Sequence, residues 1–335
     1  MKRILLSAWT LLVFIMPLSA GGQRARQTID EGKITVVSVI FPSYDFVRAI
    51  AGDRVNHVLL TAPGAESHTF EPSPRDIITI RNSDLFIYTG GHGDRWMDRI
   101  LEAGGVTSEA AAGRVRIMKL MDMVDVLEEE YVEGMQGGAT ASPGHHENCD
   151  EHCDDPHDHG IYDEHVWTSP RNARIIVAAL AEALIELDSR NAYFYRQNAA
   201  AYIAELDGID AAFRAVVNGA RRNTIVVADR FPFRYLAFQY GLQYYAAFTG
   251  CSTQSEPSAA TVAFLIGRVR ALNVPVVFHM ELGNENLART IARETGTRAM
   301  MLHSAHNLTT RDFNNGVTYL DIQRNNVEAL RAALW

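Results

Sequence analysis

Apolar residues come in short runs of strand length that recur along the chain, at 34–40, 57–62, 85–89 and 114–120. Segments with helical spacing lie between them, for example 44–51 and 75–83. Short β-rich runs alternating with helical patterns indicate a parallel α/β architecture. The same rhythm returns at 224–229, 244–248, 275–281 and 299–304, so two sets of about four strands are expected. Between the sets lies a long helical region. In its first part Ile176, Leu180, Leu184 and Leu187 mark one face. In its second, from about 191 to 217, Tyr202, Leu206, Ile209, Phe213 and Val216 follow a 4-3-4-3 spacing. Only Gly208 interrupts that face, at a cost of about 1 kcal/mol. The expected fold class is therefore α/β: two lobes, each with a roughly four-stranded parallel-type sheet flanked by helices, joined by one long rigid helix.

The expected boundaries are a leader at 1–20, an N-terminal lobe at 33–188, a linking helix at 189–220 and a C-terminal lobe at 221–335. The leader reads as a secretory signal peptide. Lys2 and Arg3 precede an apolar core at 4–17, and Leu18-Ser19-Ala20 offers small residues for cleavage. The run is short for a membrane span, which needs about 20 apolar residues. An exported, periplasmic or extracytoplasmic protein is expected, in an oxidising compartment.

Composition narrows the function. The chain has 335 residues, 47% of them hydrophobic and 21% charged, the balance of a globular protein. Lys plus Arg total 31 against 40 Asp plus Glu, a net charge of −9, and no basic cluster stands out, so nucleic acid is not an expected partner. Three cysteines cannot form a disulfide scaffold.

The charge is concentrated in one segment. Residues 134–164 lack apolar periodicity and read as a His-rich acidic loop carrying His145, His146, His152, His157 and His159. With His165 directly after it, half of the 12 histidines lie here, alongside eight carboxylates and no Lys or Arg. Imidazoles and carboxylates packed together bind borderline divalent ions such as zinc. Ordering a flexible loop costs free energy, so these auxiliary sites are expected to be weak. Cys149 and Cys153 (a C-x3-C spacing) suit a local disulfide or soft ligands, which leaves Cys251 as a buried thiol.

Other histidines lie at strand ends or just beyond, where open α/β sheets place their ligands. His68 follows a strand, His165 precedes a helix, and His303 and His306 follow the last strand.

These positions carry a resemblance. Pro63-Gly64 followed by His68-Thr69-Phe70-Glu71-Pro72-Ser73-Pro74-Arg75-Asp76 resembles the first metal-ligand motif of the zinc/manganese-binding proteins of bacterial ABC importers. His165-Val166-Trp167-Thr168-Ser169-Pro170-Arg171-Asn172-Ala173 is similar to that family's second ligand motif, and the match covers about residues 33–335. The resemblance implies two four-stranded lobes, one linking helix and one metal ion in the cleft between them, with His68 and His165 as N-lobe ligands. It implies an extracytoplasmic solute-binding protein, monomeric and not an enzyme, that passes Zn2+ to a permease in the inner membrane. An acidic His-rich loop before the second ligand is a feature of the zinc-importing members. The C-lobe departs from the pattern: the third-ligand slot holds Arg230, which cannot ligate, and the fourth holds His303. His303 is thus the expected third ligand, with Asp229, Glu281 or water as the fourth, and Arg230 is expected to pair with Glu281 or Glu256. Three imidazoles with at most one carboxylate favour zinc over manganese, and affinity should fall below about pH 6. Two alternatives remain open: a zinc-dependent hydrolase with Glu281 as its base, or a surface adhesin or metallochaperone on the same fold.

Overall fold

The computed structural model of the chain describes residues 30–66, 70–91, 97, 101–136, 162–252, 254 and 256–335. The leader, His68, the loop histidines, Cys149 and Cys153 lie outside the described residues. The N-lobe sheet is built from β1 (Thr35–Ser38), β2 (Asn56–Leu59), β3 (Leu85–Tyr88) and β4 (Arg116–Lys119). Its order is β2-β1-β3-β4 and all pairs are parallel, with Val36 opposite His57 and Phe86 opposite Ile117. The central strands β1 and β3 are buried along their whole length, as expected of a parallel sheet covered on both faces. Helix α1 (Phe41–Ala51) begins earlier than its apolar spacing suggests, because Pro42 fits the first turn, where an N–H would go unpaired. Helix α2 (Pro74–Arg81) starts at a capping box between Ser73 and Asp76, and the short α3 (Val106–Ala111) precedes β4.

Two helices follow the second His motif, α4 (Pro170–Leu187) and α5 (Ala192–Asn218). Tyr195, Ala199, Tyr202 and Leu206 of α5 lie in the N-lobe core, whereas Ile209, Phe213 and Val216 lie in the C-lobe core. One apolar face thus serves both lobes. The C-lobe repeats the topology with β5 (Thr224–Phe231), β6 (Gln243–Thr249), β7 (Val276–His279) and β8 (Arg298–Met301), ordered β6-β5-β7-β8 and parallel throughout. Its helices are α6 (Arg234–Tyr240), α7 (Ala259–Leu272), α8 (Glu285–Thr295), α9 (Thr310–Asn314) and α10 (Tyr319–Leu334). In each sheet the order reverses beside the first strand, which opens a crevice at the carboxyl ends of β1/β3 and of β5/β7.

Two features go beyond a single linking helix. Helix α10 also spans both cores, with Tyr319 and Ile322 in the N-lobe and Val327, Leu330 and Leu334 in the C-lobe. The chain leaving β4 also crosses over. Val132 and Met135 pack on the C-lobe core, and Gln136 N donates to Ala247 O (2.9 Å) in a parallel bridge to Phe248. This bridge covers part of the edge strand β6, whose backbone groups would otherwise be open for pairing. Among the described residues no helix is long and apolar enough to cross a membrane.

Candidate metal centre

His165 is held by its own sequence neighbours. The segment Asp163-Glu164-His165 leads into the 3-10 turn Val166–Thr168, then into Ser169, which caps α4 by accepting from Asn172 N. The ring is fully buried, with Nδ1 3.1 Å from Asp163 Oδ1, and the same oxygen accepts from His165 N at 2.8 Å. A carboxylate at Nδ1 places the proton there and leaves the Nε2 lone pair as the ligating one. Asp163 is anchored in turn: Tyr235 Oη donates to its carbonyl (2.6 Å) and accepts from Leu127 N (3.1 Å). Burial pushes the His165 pKa down, but the nearby Asp163, Glu164 and Glu129 outweigh it and hold the value above that of an ordinary histidine. Glu129, which motif reading passed over, also accepts from Cys251 N (3.0 Å), and burial raises its own pKa. The Cys251 thiol is free, and burial together with these carboxylates pushes its pKa well up.

The partner ring comes from the chain after β8. Asn326 clamps His303 at both backbone groups, accepting from its N (2.9 Å) and donating to its O (2.8 Å). Ser304 O accepts from Trp167 Nε1 (2.9 Å), and Ser304 Oγ accepts from His306 N (3.1 Å). Ala305 turns the chain through the left-handed region at φ 62°. The outcome is that His306 stands edge-on to His165, with ring centroids 5.3 Å apart and planes at 86°, and packs on Trp167 at 4.9 Å. Two imidazoles on one tetrahedral zinc, each bonded at about 2.0–2.1 Å, would have centroids about 5 Å apart. The spacing fits a shared ion.

Among the described residues, the other expected ligands His303, Glu281 and Asp229 are engaged in other contacts. His303 Nδ1 accepts from Ala305 N (2.9 Å) and lies 3.4 Å from Glu281 Oε2. These contacts tie the His303 ring to its own turn through Nδ1. The ring that meets His165 is therefore that of His306, three residues on. The cue in the sequence was the H-x-x-H pair, but which member turns inward depends on the backbone at Ala305. Glu281 accepts from Ser304 N (2.8 Å) and Ser304 Oγ, so its carboxylate shapes the turn. Asp229 accepts from Arg230 N (2.8 Å) and sits against Gly283, where any β-carbon would fall 2.0 Å from its Oδ2. Burial raises its pKa. Arg230 pairs with neither Glu281 nor Glu256. It reaches across to Glu66 of the N-lobe at 2.9 Å, because the end of β5 faces the loop that follows β2. Among the described residues no three His, Cys, Asp or Glu side chains converge on one point.

The chain matches, over residues 36–333, the family described as ZnuA, "Zinc-uptake complex component A periplasmic". It is 28% identical over 323 residues to the high-affinity zinc uptake system protein ZnuA of Bacillus subtilis, covering 96% of this chain and 94% of that one. It is also 28% identical over 314 residues to the zinc-binding protein AdcA of Streptococcus pyogenes serotype M3, covering 92% of this chain but only 57% of that longer protein. The crystal structure of the Zn(II)-bound ZnuA-like domain of Streptococcus pneumoniae AdcA superposes with a TM-score of 0.70 at 27% identity, covering 90% of this chain and 99% of that domain.

Proposed function

The chain belongs to the ZnuA family of periplasmic zinc-uptake components, and on that footing we propose that it is an extracytoplasmic solute-binding protein that captures Zn2+ between its lobes and delivers it to an ABC permease. The observation that carries the reading is the meeting of His165 and His306 at 5.3 Å, with Asp163 fixing the His165 ring. His165 and His306 hold the ion through ring nitrogens, His68 supplies the third, and water completes the shell. An imidazole-dominated donor set selects zinc over manganese. Binding displaces the proton that the surrounding carboxylates hold on His165, so capture weakens as pH falls through its raised pKa. The loop histidines His145, His146, His152, His157 and His159 act as a weaker auxiliary collector. A hydrolytic role has less support, because the candidate base Glu281 is committed to Ser304 and faces His303. A catalytic zinc needs its base beside the metal-bound water.

Zinc titration in competition with a chromogenic chelator tests the proposal. The full mature chain should show one tight site that His165→Ala and His306→Ala each abolish and His303→Ala leaves within a few-fold of the parent. Absence of a tight site, or its retention in both of the first two variants, would overturn the reading.

A further inference from the structure

The segment that carries His306 follows the last strand of the C-lobe, yet it is built into the N-lobe. Ala305 and Leu308 lie in the N-lobe core, and Trp167 holds Ser304 from the N-lobe side. The next residue, Asn307, is 2% exposed and its amide is fully used. Nδ2 donates to Ala62 O (2.9 Å) and Ala65 O (2.8 Å), while Oδ1 accepts from Leu308 N (2.8 Å). Two more bonds run between the same segments: Gly64 N donates to Leu308 O (2.7 Å) and Thr310 Oγ1 to Pro63 O (3.1 Å). Ala65 stands three residues before His68, and Asn307 stands directly after His306.

We infer that Asn307 is the positioning residue of the metal centre, the side chain that fixes the turn bearing His306 against the N-lobe loop that follows β2. This rests on the reading of His165 and His306 as zinc ligands. The two donors and one acceptor must be presented together from a short side chain. Aspartate keeps the acceptor but turns a charge toward two carbonyls, and leucine keeps the volume but removes all three bonds, including the one to the buried Leu308 N. With the tie in place the turn bearing His306 is carried by the N-lobe, the same body that carries His165. A metal site loosened by as little as an ångström loses affinity because its ligands must then be ordered by the ion itself.

The test compares parent, Asn307→Ala and Asn307→Asp for zinc affinity and for the visible absorption of the cobalt(II)-loaded protein, which reports coordination geometry. Far-UV circular dichroism and the unfolding midpoint of the metal-free chain monitor folding. Both variants are expected to bind zinc at least tenfold more weakly and to show an altered cobalt spectrum while remaining folded. Thr310→Val, which removes only the exposed Thr310–Pro63 bond, is expected to weaken zinc binding about two- to threefold and keeps the inference testable if Asn307→Ala fails to fold. Zinc affinity within twofold of the parent and an unchanged cobalt spectrum in the folded Asn307 variants would overturn it. So would parent-like behaviour of Thr310→Val if neither Asn307 variant folds. In both cases tight binding by the parent leaves the zinc-capture reading standing. A parent without a tight site would overturn that reading and this inference together.

Discussion

Replacing Asp163 by Asn removes one charge from behind the His165 ring and almost nothing else. The amide oxygen still accepts from His165 N, now 2.8 Å away, and the backbone carbonyl still receives Tyr235 Oη. From the 3.1 Å contact at Nδ1 and the width of the ring, a zinc ion on Nε2 lies roughly 7 Å from the carboxylate. At an effective dielectric of about 20 the gross attraction is about 5 kcal/mol. Most of it is offset, because the same carboxylate also stabilises the proton that zinc displaces. Loss of a carboxylate behind a metal-bound histidine typically costs 10–100-fold in affinity, or about 1.4–2.7 kcal/mol, and that range is expected for Asp163→Asn at pH 8. The pH dependence gives the sharper signature. In the parent, Asp163 helps hold the His165 pKa above its ordinary value, so protons begin to compete at higher pH. In the variant that competition sets in lower. The ratio of parent to variant affinity should therefore be largest near pH 8 and shrink toward pH 6. Chelator competition at constant ionic strength across that range measures it. A ratio within twofold of unity at pH 8, or one that grows as pH falls, would refute the reasoning.

Three further outcomes follow from particular contacts. His57 is partly buried and stacks on Tyr44, and desolvation, with a smaller effect of Arg48, lowers its pKa to about 3, so its contribution to stability is present above pH 6.5 and is lost as pH falls toward 3. Between pH 7.5 and 5 this costs about 2 kcal/mol, and urea unfolding of His57→Gln should show that much less acid sensitivity than the parent. At Gly250 a β-carbon would meet Phe231 O at 2.9 Å, Asp163 Oδ2 at 3.0 Å and His165 Cε1 at 3.3 Å. Gly250→Ala should lower stability by about 1–3 kcal/mol and weaken zinc binding, as measured by urea unfolding and chelator competition. Deleting residues 139–160 should remove the weak zinc sites and leave the tight one, and calorimetry showing loss of the tight site would contradict this division of labour.

The alternation of strand and helix was legible because buried parallel strands are continuous apolar runs. The run at 85–89 became β3 and that at 224–229 became β5, extended to Phe231. The long helix was legible from the spacing of Tyr202 to Val216, which the two cores share. What pattern could not supply is direction. Residues 127–136 carry no periodicity, so their passage onto the edge of β6 left no trace in the sequence. The choice between His303 and His306 rests on one left-handed residue, Ala305, and on hydrogen bonds to this turn from Asn326 and Trp167, which lie far from it along the chain. The pairing of Arg230 with Glu66 likewise depends on how the two lobes face each other. The two histidine motifs were recognisable as local strings, whereas the way the C-lobe completes the site is a property of the assembled fold.

The central claim is that one zinc ion is held jointly by His165 and His306. Diffraction from zinc-loaded crystals on both sides of the zinc absorption edge tests it most directly. The account predicts a single strong anomalous peak between the two rings, about 2.0–2.1 Å from the Nε2 of His165 and from a ring nitrogen of His306. A peak beside His303 and Glu281, or none within bonding distance of His165, would contradict it.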